Sequence, residues 1–169
     1  MTIMTISQRE KKLRGEAFEN IIVDELKGIG CEIYQRFRGG ESSDPTPDIY
    51  AVCDGRMKRI EAKLTQAWEK EGDRVRSGRF ILSEEISPKE CYAFGVDDQI
   101  EESLTIDFMR KEDPDEYIRV HRKRPKYPIA RMQELRNNAR CFPDVGTITR
   151  PREDLLDEVR RLMSHESDR

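Results

Sequence analysis

Residues 47–64 read PDIYAVCDGRMKRIEAKL, and the Asp54-Gly55 pair in their middle decides how the rest is read. An Asp-Gly dipeptide between two alternating runs is the strongest short-range signal for a β-hairpin. The spacing predicts strands over Asp48–Cys53 and Arg56–Leu64, with Cys53 facing Arg56 across a two-residue turn. Carried outward, that register sets Asp48 opposite Glu61, with Cβ atoms ~4.5–5.5 Å apart. Two carboxylates so placed repel each other unless a cation lies between them. Lys63 follows on the same face, while Ile60, Ala62 and Leu64 alternate onto the other. Two hard oxygen donors beside an ammonium suit Mg²⁺, which takes one or two carboxylates and fills its shell with water and phosphate oxygens. The plainer reading is a solvated hairpin in which Arg59 and Lys63 neutralise Asp48 and Glu61. Pro-Asp and Glu-x-Lys each occur three times in the chain, so neither is informative alone. Only Pro47-Asp48 and Glu61-Ala62-Lys63 fall on successive predicted strands in facing register.

Upstream, Ser7 with Glu10 forms a capping-box start and Gly28 with Gly30 a stop. Phe18, Ile21, Ile22, Leu26 and Ile29 recur at helical spacing between them, predicting a helix over 8–28. Glu19 falls between Phe18 and Val23 on the edge of that apolar stripe, where a carboxylate needs a partner; Lys12, Arg14 or Lys27 can supply one. Cys31–Phe37 reads as a strand, and RGGESSDPTP at 38–47 as a loop. Downstream, the polar and basic QAWEKEGDRVRSGR precedes a short strand-like Phe80–Leu82. CYAFGV at 91–96 suits a buried strand, and LTIDF at 104–108 suggests another. A basic segment broken by Pro125 and Pro128 then leads to an amphipathic helix from Arg152 to about Met163. This order predicts a mixed α/β core over 1–110 and an extension over 111–169 with a C-terminal helix.

At 169 residues the chain has the length of one domain with a modest extension. It contains no run of ~20 apolar residues, so a membrane-spanning helix is excluded. The opening MTIMTISQREKKLRGEAF puts its charges after a very short apolar patch, the reverse of a secretory signal. Cys31, Cys53, Cys91 and Cys141 lack metal-ligand spacing and only two histidines are present, which sets aside zinc sites and Ser-His or Cys-His chemistry. The cysteines are expected to be free thiols in a reducing cytoplasm, that of a host if the gene is viral or plasmid-borne. The net charge of -3 conceals its distribution: 84–118 holds 3 Lys+Arg against 12 Asp+Glu, and 119–140 holds 8 against 1. The second stretch, with Arg122, Lys123, Arg124 and Lys126, is a candidate polyanion-binding element; alternatively it pairs with the acidic stretch before it. Arg14, Arg36, Arg38, Arg74, Arg76 and Arg79 lie on predicted loops or element ends near the hairpin and are candidate phosphate contacts.

Taken in order, Arg14-Gly15-x-x-x-Glu19 on the first helix, then Asp48-Ile49, then Glu61-Ala62-Lys63 resemble the PD-(D/E)xK nuclease superfamily. Within it the pattern is most similar to archaeal-type Holliday-junction resolvases. The likeness covers 9–64 and extends through the strand at 91–96; Gly28 or Gly30 matches the family's turn, and Arg38–Asp44 with Ser42 and Ser43 its Gly/Ser loop. The resemblance implies a restriction-endonuclease-like fold: a helix, a mixed central β-sheet with the hairpin, and flanking helices. It implies a Mg²⁺-dependent endodeoxyribonuclease, with Mn²⁺ able to substitute, acting on branched DNA such as a four-way junction. A duplex nuclease of the same fold is the alternative, and a non-cutting DNA-binding or partner-binding derivative is a third. Asp48, Glu61 and the Ala62 carbonyl would hold the metal, and Lys63 would orient or help deprotonate the attacking water. Glu19 would support a second metal or anchor Lys63, and Ser42 and Ser43 would join the arginines at the DNA. Two opposed nicks imply a C2 homodimer, its interface drawn from Cys91–Val96 and from Leu155, Leu156, Val159 and Met163.

Overall fold

A computed structural model of the chain describes residues 8–36, 49–69, 75–82, 90–121 and 126–167. The N-terminal helix α1 spans Gln8–Gly28, as its spacing predicts, and β1 follows over Glu32–Arg36. The hairpin is β2 (Ile49–Cys53) and β3 (Arg56–Glu69), turning through Asp54 at φ 51° and Gly55 at φ 72°. Positive φ at both central residues is what an Asp-Gly turn of this hand requires. Its pairing runs from Cys53↔Arg56 to Ile49↔Ile60, the expected register at every described pair. Asp48, one residue further, lies outside the described residues, as does the loop 38–47.

β3 continues past the expected Leu64 to Glu69, because β6 (Cys91–Asp98) pairs with it in parallel from Ile60↔Cys91 to Ala67↔Asp98. β4 (Val75–Ser77) pairs with the far end of β3, and β5 (Arg79–Ile81) leaves it. After β6 come β7 (Ser103–Arg110), α2 (Glu112–Val120), β8 (Lys126–Pro128), α3 (Ile129–Leu135), β9 (Ile148–Pro151) and α4 (Arg152–Ser167). The main sheet has the order β1-β2-β3-β6-β7-β9, antiparallel except at β3–β6; β5 and β8 form a separate ribbon. The protein is therefore mixed α/β, with four helices among the described residues about a mixed central sheet.

Alternation along the strands gives the sheet two apolar faces. Ile60, Cys91, Ala93, Leu104 and Ile106 point to α1 and α4, meeting Phe18, Ile22 and Leu155. Tyr92, Phe94, Val96 and Met109 point the other way, to Phe80, Ile118, Tyr127 and Met132. α1 comes so close that a Cβ on Gly95 would overlap the Phe18 ring. Glycine here is a packing requirement.

The described part of 111–169 is built into both faces. β9 completes the sheet beside β7, and α4 lies along α1, with Arg150 bonded to Glu25 at 2.9 Å and Asn20 to Glu158 at 2.7 Å. The predicted tail helix is α4; α2, α3 and β9, each of nine residues or fewer, were not anticipated. Arg131 holds Asp113 through two hydrogen bonds of 2.9 and 2.6 Å, and Tyr127 donates to the same carboxylate at 2.5 Å. Part of the basic stretch thus pairs with the acidic one before it.

Two expectations are corrected. Cys31 and Cys53 are not free thiols but a disulfide, with Cα atoms 4.4 Å apart. They stand opposed one pair beyond Glu32↔Val52, a position where the ladder itself brings two cysteines within bonding range. Cys91 and Cys141 are free and buried. The inference of a reducing compartment therefore loses half of its basis. Second, Cys91–Val96 offers no spare surface for a dimer, because every residue of it is buried within the sheet. Leu155 is likewise buried and Val159 packs on the core, leaving Met163 exposed. No helix among the described residues is long and apolar enough to cross a membrane.

Candidate functional site

The described pairs of the hairpin ladder end at Ile49↔Ile60, and β4 joins β3 at Ala67. Between them, the described residues place a strand beside Glu61–Gln66 on the β6 side alone. Glu61 and Lys63 project from the face opposite α1, as the alternation predicts, with Lys63 Nζ 3.8 Å from Glu61 Oε1. Their side chains are 15% and 30% exposed, so the pair is half-sheltered and open to solvent. Arg59 does not serve this pair: it holds Glu90 through Nη2 at 2.8 Å and Nε at 3.2 Å.

A cleft of about 450 Å³ wraps the edge of β3 at this point. Ala62 and Leu64 line it from one face, Lys63 and Thr65 from the other, and Gln66 from beyond; Lys11, Arg14 and Gly15 of α1 and Arg79 and Ile81 of β5 complete it. No acidic side chain is among its described lining residues. Glu19 follows Gly15 by one helical turn and is 7% exposed, so its carboxyl belongs to the stripe of α1 that faces the sheet.

Of the candidate phosphate contacts, Arg14 is engaged within the protein. Its guanidinium binds Asp97, which is 0% exposed, while Arg152 Nε reaches the other carboxylate oxygen at 2.6 Å. Burial lowers the Arg14 pKa from its usual value, and Asp97 opposes that shift. Arg36, at the end of β1, helps after Arg161 and Asn20 to hold the Glu158 carboxyl below its usual range. Arg79 is exposed at the cleft and Lys126 on β8. Arg76 lies in β4 with its backbone paired to Trp68. Arg38, Ser42, Ser43, Arg74, Arg122, Lys123 and Arg124 lie outside the described residues.

Two features were not anticipated. Lys11 stands one turn before Gly15 on the stripe that carries Glu19, a spacing visible in the sequence. Tyr92 lies beside Glu61 in the β3–β6 register and donates its hydroxyl to Asp115 at 2.8 Å. Burial first, then Asp115 and Glu61, push the phenol above its ordinary pKa and keep it neutral. That link needs a long-range pairing no local pattern signals.

Among the described residues no group of three or more His, Cys, Asp or Glu side chains is gathered to hold a metal. No family model, curated protein or solved structure matches the chain.

Proposed function

We propose that the protein is a metal-dependent DNA endonuclease of restriction-endonuclease-like fold that cuts branched DNA. The observation that carries this reading is the Glu61–Lys63 pair, 3.8 Å apart on one face of β3, next to the last described pair of the hairpin and beside a basic cleft. Asp48 is bonded to Ile49, the last described residue of the ladder, and is the second carboxylate the reading needs. Asp48, Glu61 and the Ala62 carbonyl are hard oxygen donors of the kind Mg²⁺ prefers. Bound Mg²⁺ supplies a water acidic enough to attack at neutral pH and neutralises charge on the phosphate. Lys63 would orient that water and meet the negative charge developing on phosphorus-bound oxygen as the water oxygen bonds to phosphorus, the bond from phosphorus to the leaving oxygen breaks, and the proton lost by the water is made good at the leaving oxygen from solvent. Two-fold symmetric nicking of a junction suits a homodimer with one site per subunit.

The test incubates labelled four-way junction, linear duplex and single strand in parallel, with Mg²⁺, with Mn²⁺ and with EDTA. Metal-dependent cleavage favouring the junction is the expected result. Equal cutting of plain duplex moves the reading to a duplex nuclease, and full activity in EDTA would falsify the metal mechanism.

A further inference from the structure

Gly15 sits inside α1, where glycine is a poor helix former, and its φ is not in the positive region that favours glycine. A Cβ built there would meet nothing within 4 Å, so packing among the described residues does not call for its absence. The bare backbone of α1 at Gly15 instead forms one wall of the cleft. Glycine in such a place permits close approach of something outside the chain. The rest of the lining says what kind. Lys11, Lys63 and Arg79 bring positive charge from three different elements, and Arg14 is held back by Asp97. Ile81, 66% exposed, and Leu64 add apolar surface beside them. Cations along a groove are the chemistry that tracks a phosphodiester backbone, and aliphatic side chains between them give sugars and base edges an apolar surface to lie on. A cleft of about 450 Å³, walled by α1, β3 and β5, is of a size to take a short stretch of one strand's backbone.

We infer that this cleft is a slot for a single nucleic-acid strand, its phosphodiester backbone held by Lys11, Lys63 and Arg79 and laid against α1 at Gly15. The inference rests on the nuclease reading for its choice of nucleic acid over other polyanions, and it names the strand the site receives: one already splayed from its complement, as at a fork or a junction centre.

Binding is measured by fluorescence anisotropy in EDTA, where the proposed cleavage is off. The ligands are a labelled single strand, a forked duplex and a blunt duplex, with inorganic polyphosphate as competitor. Single strand and fork are expected to bind at least about tenfold more tightly than blunt duplex. Gly15→Leu, a better helix former that fills the slot, and the double variant Lys11→Gln with Arg79→Gln should each lose about tenfold at unchanged melting temperature. The double variant should also flatten the salt dependence by about 0.7 for each phosphate no longer neutralised. Wild-type binding by Gly15→Leu, equal binding of blunt duplex, or competition by polyphosphate as strong as by oligonucleotide overturns the slot. Binding that follows this pattern without any cleavage in Mg²⁺ upholds the slot and removes the nuclease reading.

Discussion

Asp97 has no exposed surface, and two guanidiniums from opposite ends of the chain converge on it. Removing it leaves Arg14 and Arg152 half-buried without their counter-ion, a situation that costs more than the pair contributed. Asp97→Ala should therefore destabilise the fold by about 3 kcal/mol in urea denaturation. By contrast, Arg160→Ala, on the exposed face of α4, should leave the midpoint unmoved. At the proposed catalytic pair, Asp48→Asn and Glu61→Gln should slow single-turnover cleavage by orders of magnitude while binding persists, since each removes negative charge facing phosphate. Normal rates in both would mean that the hairpin does not form the site. Glu61 and Lys63 were legible because alternation over four residues sets which face they share. Asp97 was not, because its partners lie 83 and 55 positions away and only the folded sheet brings them together.

Elements meet where side chains are missing as much as where they interlock. α1 rests on β6 through Phe18 over Gly95, so Gly95→Ala should cost about 1–3 kcal/mol. Adding Phe18→Leu should recover part of that loss; strict additivity in a double-mutant cycle would show that the two do not touch. On the other face, Arg131 is the main cause holding the Asp113 carboxyl below its usual range, assisted by Tyr127. A lowered folded-state pKa means the contribution is present above the ordinary carboxylate pKa and fades as acid drives the pH down through the folded value. Melting temperatures of wild type and Asp113→Asn should converge at low pH and separate as the pH rises past about 4. Parallel curves across that range would rule the pair out as an anchor for α2. The strong local signals, α1's stripe and the Asp-Gly turn, were readable at this scale. α2 and α3 were hidden by their brevity and by prolines, Pro114 inside the first turn of one and Pro128 capping the other.

Across the whole molecule, the Cys31–Cys53 disulfide joins positions 22 apart in the sequence, tying the start of β1 to the turn end of β2. Reducing it should lower stability by about 3 kcal/mol, and Cys53→Ala should behave like the reduced protein. Thiol titration gives an independent reading: two reactive groups in denaturant before reduction, from Cys91 and Cys141, and four after it. Four before reduction would remove the disulfide. The pairing escaped the sequence because cysteine spacing reveals metal sites and not strand register. The extension was harder still, since β9 and α4 find their places only against β7 and α1. That closing arrangement has a consequence during synthesis. α1 is made first and its partner α4 last, with roughly 120 residues between them. At about 5–20 residues per second the ribosome leaves the apolar face of α1 short of its final cover for roughly 6–25 s. The nascent chain is therefore a natural client for a holdase during that interval, and stalling translation just before Arg152 should leave it more open to proteolysis than release of the finished chain.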